Sequence, residues 1–384
     1  MLRKNSRINK SEKADMRSWR NWQTRKTKDL VSPGHAGSIP VDRTKRIALE
    51  SAILFLCRKG RDKTMRLFVY SLREFDEKPF FEKFCRKYGV EYGFTTQTPC
   101  LENVELAQGY DAIDILTTVI DADMLDRFAE IGIKYITTRT IGYDHIDVEH
   151  AAKVGIHVSN ITYSPASVAD YTVMMMLMGL RRIKHIMMRT DVQDYTLKGK
   201  IGGELHNCTV GIVGTGRIGT TVIEDLSGFG CRIICYDPYP NERAASLAEY
   251  VSLEELIEQS DIITLHAPAT EENYHMINRE TISRMKDSVG IVNCARGVLI
   301  DSDDLIEGIE SGKIGFACLD VVEHESGLYY FNRMGEPLNN PKLAILRSYS
   351  NVIVTPHTAF YTDEAVSNMV ENSIIGVVNY FEGK

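Results

Sequence analysis

From residue 65 onward, short apolar runs alternate with amphipathic stretches. Leu67–Ser71, Ala112–Leu116, Tyr135–Thr138 and His157–Ser159 have the length and the β-branched or aromatic content of strands. Between them, Lys78–Lys87 and Ala122–Ile131 carry apolar residues at helical spacing. This alternation predicts βαβ units, hence a parallel sheet with helices on both faces. Ser167–Arg189 predicts one long apolar helix whose Met174-Met175-Met176-Leu177-Met178 run reads as core or subunit contact. A second βαβ series begins at Thr209, with strands at Thr209–Val213, Arg232–Tyr236, Ile262–Leu265, Gly290–Asn293 and Gly315–Leu319. A strand at Val352–Thr355 and a helix at Asp363–Phe381 close the chain.

Before residue 65 neither period is sustained. Residues 1–64 hold 17 Lys+Arg against 6 Asp+Glu, whereas the whole chain has a net charge of -7, so the remainder is strongly acidic. A basic arm for nucleic acid and an organelle transit peptide both compete as readings of this segment, although its acids interrupt the second. The favoured reading is that it is not part of the native protein. Ser18-Trp19-Arg20-Asn21-Trp22-Gln23-Thr24-Arg25, continuing through Pro33-Gly34-His35-Ala36-Gly37, resembles a translated transfer-RNA gene, and Met65 is the expected start.

The chain's 384 residues suggest two domains. Its 43% hydrophobic and 25% charged residues exclude a disordered chain, a collagen and a membrane bundle. Eight scattered cysteines without a Cys-x-x-Cys pair point to reduced thiols and a cytoplasmic location. No metal site, membrane contact or nucleic-acid partner is expected.

Gly214-Thr215-Gly216-Arg217-Ile218-Gly219 follows a strand and opens a helix, and Asp237 ends the next strand. In that order the pattern is a dinucleotide cradle. Gly214 permits the tight turn, Gly216 admits the pyrophosphate, and Gly219 lets helix and strand pack. The helix N-terminus then faces the pyrophosphate. Asp237 suits ribose hydroxyls and repels a 2′-phosphate, which favours NAD over NADP.

Arg296, Glu325 and His357 each follow a predicted strand, where open α/β sheets carry their ligands. Singly, each has an ordinary structural reading. Together, Asn293-Cys294-Ala295-Arg296-Gly297, Leu319-Asp320-Val321-Val322-Glu323-His324-Glu325 and Thr355-Pro356-His357-Thr358-Ala359-Phe360-Tyr361 resemble the ordered signature of the D-isomer-specific 2-hydroxyacid dehydrogenases. The resemblance runs from about Met65 to the C-terminus. Segment Gly327–Ser350 is similar to D-lactate dehydrogenases, especially the vancomycin-resistance branch.

That resemblance implies two Rossmann-like, doubly wound parallel-sheet domains with a cleft between them. Residues 65–164 and 357–384 would form the substrate domain and 165–356 the NAD-binding domain. Arg296 would grip the substrate carboxylate, and His357 would be the general acid and base. Glu325 would orient its ring, with Glu323 a spectator. Asp320 would reach the nicotinamide carboxamide region. Ala267, Pro268 and Asn273 would border the cofactor, with His266, Cys294 and Ala295 close by. Ile141, Gly142 and Tyr143 would hold the substrate carboxylate by their N–H groups, and Tyr163 and Phe360 would shape the pocket. Leu116 departs from a pocket tyrosine found in some D-lactate dehydrogenases. The expected reaction is NADH-dependent reduction of pyruvate, or a close 2-oxo acid, to the D-hydroxy acid by a homodimer. Reduction of larger acids such as 2-oxoisocaproate, and an NADH-sensing co-repressor on the same scaffold, are the alternatives.

Overall fold

Two all-parallel sheets organise the described residues. The computed structural model describes residues 64–325 and 327–384. The readings made for residues 1–63 therefore lie outside the described residues. The first sheet contains β1 (Met65–Val69), β2 (Val90–Phe94), β3 (Ala112–Ile115), β4 (Tyr135–Thr138) and β5 (His157–Ser159). Its order is β2-β1-β3-β4-β5. The second contains β6 (Thr209–Val213), β7 (Arg232–Tyr236), β8 (Glu249–Tyr250), β9 (Ile262–Leu265), β10 (Val289–Asn293), β11 (Ile314–Leu319) and β12 (Val352–Val354). Its order is β12-β11-β10-β9-β6-β7-β8.

Sequence pattern accounts for most of these elements. Helix Lys78–Tyr88 begins with Pro79 and stops at Gly89, whose φ of 62° is the left-handed conformation of a glycine cap. Asp121 caps helix Ala122–Glu130 by accepting the Met124 N–H. Thr362 likewise caps the terminal helix Asp363–Glu382. Val370, Ile374, Val377 and Val378 of that helix pack with Phe81 and Phe84 on the first sheet, returning the C-terminus to the N-terminal lobe. β2 and β8 escape the sequence reading. Glu91 and Gly93 interrupt the apolar pattern of the first, and the second has only two residues.

The single long helix expected at Ser167–Arg189 is corrected to two, Ala166–Leu180 and Ile183–Asp191. Arg182 breaks it with a left-handed φ of 53°. The two halves also differ in environment. Met175 and Met176 are fully buried against the second sheet, whereas the second helix has no buried residue. The methionine run is thus largely core, and the exposed apolar surface follows it.

A buried charge cluster stands at the C-terminal ends of β1, β3 and β4. Arg139 is inaccessible to solvent and donates to Asp114 Oδ1 at 2.8 Å and Glu77 Oε1 at 3.1 Å. Ser373 of the terminal helix donates to the other Asp114 oxygen at 2.8 Å. Burial pushes the Asp114 carboxyl up to about 6, against the pull of Arg139 and Ser373. An unfolded Asp titrates near 4, so between about pH 4 and 6 the folded chain binds a proton that the unfolded chain has released. The stability contributed by this group is therefore present below that window and declines as pH rises through it. The stability difference between the native chain and Asp114→Asn, read from urea midpoints, is expected to move against the native chain across the window. A flat or opposite trend would contradict the assignment.

Candidate active site

Strand ends assemble the site, because in open parallel sheets the loops leaving the C-terminal edges converge on one crevice. β6 leads into Gly214, β9 into His266, β10 into Arg296, β11 into Asp320 and β12 into His357. From the other sheet, β3 leads to Leu116 and β4 to the Thr140–Asp144 loop.

The glycine loop has room for a dinucleotide where one is expected. Gly214 has a φ of 95°, and a Cβ there would lie 2.6 Å from the His266 carbonyl oxygen. A Cβ on Gly219 would lie 2.0 Å from the Gly214 carbonyl oxygen. A Cβ on Gly216 would meet nothing within 4 Å, so the open side of the loop lies at the start of helix Arg217–Ser227. Asp237 is held by its loop: Oδ2 accepts the Thr215 N–H at 2.6 Å, and Oδ1 accepts the Tyr239 N–H at 2.8 Å. Arg217 extends to the other lobe and donates to the Tyr163 carbonyl at 3.2 Å.

His357 is the centre of the polar network. Its Nδ1 lies 2.6 Å from Glu325 Oε1, while Glu325 Oε2 accepts the Val322 N–H at 3.0 Å. Glu323 is engaged elsewhere, 2.7 Å from His275 Nε2 and accepting the Ser302 N–H at 3.0 Å. Asp320 lies on the border of the larger of two compartments and has further partners that sequence did not suggest. It is buried, and its carboxylate accepts the Thr355 hydroxyl at 2.6 Å, the Thr358 N–H at 2.9 Å and the Ala359 N–H at 2.8 Å. This carboxylate braces the loop that carries His357. Arg296 is partly exposed, donates to the Ala295 carbonyl at 2.8 Å and lies against Gly142, with Asp144 Oδ1 3.6 Å from its Nε.

Two compartments meet at Arg296 and His357. The larger, of about 550 Å³, is bordered by Ile218, His266, Ala267, Pro268, Cys294, Ala295 and Asp320, with Tyr143 at its rim. The smaller, of about 180 Å³, is bordered by Leu116, Tyr330 and Met369. Ile141, Gly142, Tyr163 and Phe360 line both. Asn273 lines neither; its amide braces a turn by donating to the Pro268 carbonyl at 2.7 Å and accepting the Thr270 N–H at 2.8 Å. Burial pushes the His266 imidazole down to about 4 and the Tyr163 phenol up to about 12, so both are neutral at neutral pH. Burial also raises the Cys294 thiol, which leaves it a poor nucleophile.

Sequence reasoning missed Arg73, Arg139, His145, Tyr330 and Met369 on the smaller compartment. Arg73 and Arg139 had a usable signal, since each lies just past a strand. Tyr330 and Met369 had none, because the first sits in an irregular loop and the second follows the ordinary apolar spacing of a helix.

The family described as D-isomer specific 2-hydroxyacid dehydrogenase, NAD binding domain, matches residues 173–359. An aromatic 2-oxoacid reductase of Clostridium sporogenes is 46% identical over 319 residues, covering 82% of this chain and 96% of the relative. A solved D-lactate dehydrogenase of Treponema pallidum superposes with a TM-score of 0.76 at 35% identity, over 83% of this chain and 98% of that one. The structure of a D-2-hydroxyisocaproate dehydrogenase gives the same TM-score, identity and coverage. With a nucleotide cradle in one lobe, an Arg-Glu-His set at the cleft and this likeness along nearly all of the described residues, the chain belongs to the NAD-dependent D-2-hydroxyacid dehydrogenases.

Proposed function

We propose that this enzyme reduces 2-oxo acids bearing a large apolar side chain, aromatic ones included, and takes pyruvate as a slower substrate. The observation that carries this reading is the smaller compartment beside Arg296 and His357. At about 180 Å³ it exceeds the cavity of about 150 Å³ that accommodates benzene in a protein core. Leu116, Tyr163, Phe360 and Met369 offer apolar surface to such a side chain. The 46% identity to an aromatic 2-oxoacid reductase supports the same choice over the pyruvate preference expected from sequence.

Bound NADH supplies a hydride to the carbonyl carbon. Arg296 receives the substrate carboxylate with its planar fork and orients the carbonyl, aided by backbone N–H groups near Gly142. His357 donates a proton from Nε2 to the carbonyl oxygen and removes it in the reverse direction. Glu325 holds Nδ1, so that the ring keeps one orientation. Asp237 recognises the adenosine ribose, and its charge disfavours a 2′-phosphate. Asp320 fixes the His357 loop.

We also propose a homodimer. Val192, Tyr195, Leu197 and Ile201 are 71%, 74%, 88% and 83% exposed, an apolar run that a second copy would cover. A cytoplasmic location accords with the cysteines, all free among the described residues.

Steady-state kinetics with NADH on pyruvate, 2-oxoisocaproate and phenylpyruvate test the substrate reading. kcat/KM for phenylpyruvate should exceed that for pyruvate by about tenfold or more, the scale on which a filled apolar pocket discriminates. Leu116→Tyr should narrow that gap. Pyruvate as the best substrate would overturn the proposal.

A further inference from the structure

We propose that Tyr330 is a positioning residue for His357 and a determinant of substrate size, an inference that rests on His357 being the proton donor. His357 has a φ of 53°, a left-handed conformation that is unfavourable for a residue with a side chain. Something must hold it there, and beside a bond from its N–H to the Thr355 carbonyl at 3.1 Å, three contacts with more distant segments do so. Its N–H donates to the Asp320 carbonyl at 2.8 Å, fixing the loop to the end of β11. Its ring is held by Glu325 at 2.6 Å. Its carbonyl accepts the Tyr330 hydroxyl at 2.9 Å.

Glu325 opens a turn that Tyr330 directly follows. The N–H groups of Leu328 and Tyr329 both donate to the Glu325 carbonyl, at 3.0 and 3.3 Å. Arg333 donates to the Gly327 carbonyl at 2.6 Å, which closes the following stretch. A single loop therefore grips His357 from its ring and from its backbone. The Tyr330 ring, 6.1 Å from the imidazole between centroids, is also a wall of the smaller compartment. The hydroxyl and the ring thus have separable duties. The hydroxyl restrains the backbone that aims the imidazole, and the ring offers a large substrate side chain a surface to pack against.

Two substitutions separate these duties. Tyr330→Phe removes the hydroxyl and keeps the wall. It should lower kcat for phenylpyruvate about 3- to 10-fold, the scale of one hydrogen bond, with KM and the Kd for NADH unchanged. The deuterium isotope effect on kcat with NADH labelled at the transferred hydride should rise, because the chemical step becomes more limiting. Tyr330→Ala removes both and should also shrink the preference for phenylpyruvate over pyruvate by raising KM for the larger acid. A purely structural role would lower Tm and the number of NADH-binding sites and leave kcat per site and the isotope effect unchanged. That result overturns the proposal, as does Tyr330→Phe with unaltered kcat. If the native enzyme turns over and His357→Gln does not slow it, the underlying assignment of the proton donor fails first.

Discussion

His357→Gln is expected to lower kcat for 2-oxo acid reduction by about 10²- to 10⁴-fold, the range lost with a positioned general acid. Glutamine approximates the reach of imidazole and still meets Glu325 with a hydrogen-bond donor, but it has no proton to give at neutral pH. The dinucleotide cradle is built by other elements, from Gly214 to Gly219 and at Asp237, so the Kd for NADH should not change. Fluorescence titration with NADH beside single-turnover rates reads the two quantities separately. Loss of NADH binding together with kcat would point to a disturbed fold, and a kcat within about tenfold of the native enzyme would remove His357 from the acid role.

Gly142→Ala should be nearly as damaging, although it adds a single methyl group. The new Cβ would lie 1.6 Å from Arg296 Nη2 and 2.9 Å from Asp144 Oδ1. Both are far ends of flexible side chains, so the fold can accommodate the change by expelling the guanidinium. The substrate carboxylate then loses its fork. Losing one side of a desolvated charge pair costs about 3–4 kcal/mol, which corresponds to roughly 10²- to 10³-fold in kcat/KM. Arg296→Lys should fall in the same direction, since a lysine keeps the charge without the planar pair of donors. The double variant should be little worse than either single one, because both remove the same contact. An unchanged kcat/KM in Gly142→Ala, at an unchanged Tm, would show that Arg296 does not need its present position.

Leu67–Ser71, Ala112–Leu116 and the apolar runs from Thr209 onward were legible as strands because a parallel strand buried on both faces is apolar along most of its length, a buried polar residue such as Asp114 needing a partner of its own. The nucleotide cradle was legible for a similar reason. Gly214 needs a positive φ, and Gly219 has no space for a Cβ, so the chemistry leaves a local mark. β2 left none, since an edge strand need not be continuously apolar. Arg182 also broke a helix that its neighbours' apolar spacing continued, through a backbone angle that residue type does not announce.

The site divides along the same line. Strand ends marked Arg296, Glu325 and His357 as candidates, and the resemblance of their surrounding segments to one family's ordered signature joined them into a set. Only the tertiary structure decided what stands beside them. It turned Asp320 toward the His357 loop, engaged Glu323 with His275, and brought Tyr330 to the His357 carbonyl. It also brought Arg139 and Met369 to the smaller compartment from segments 230 residues apart. Local sequence specifies backbone conformation and burial over a few residues, whereas a binding site is set by which loops the folded sheets bring together. The sequence by itself therefore determined the two sheets and the dinucleotide pattern and, through the family resemblance, named the candidate reacting groups, and packing between distant segments decided the size and the walls of the space proposed for the substrate.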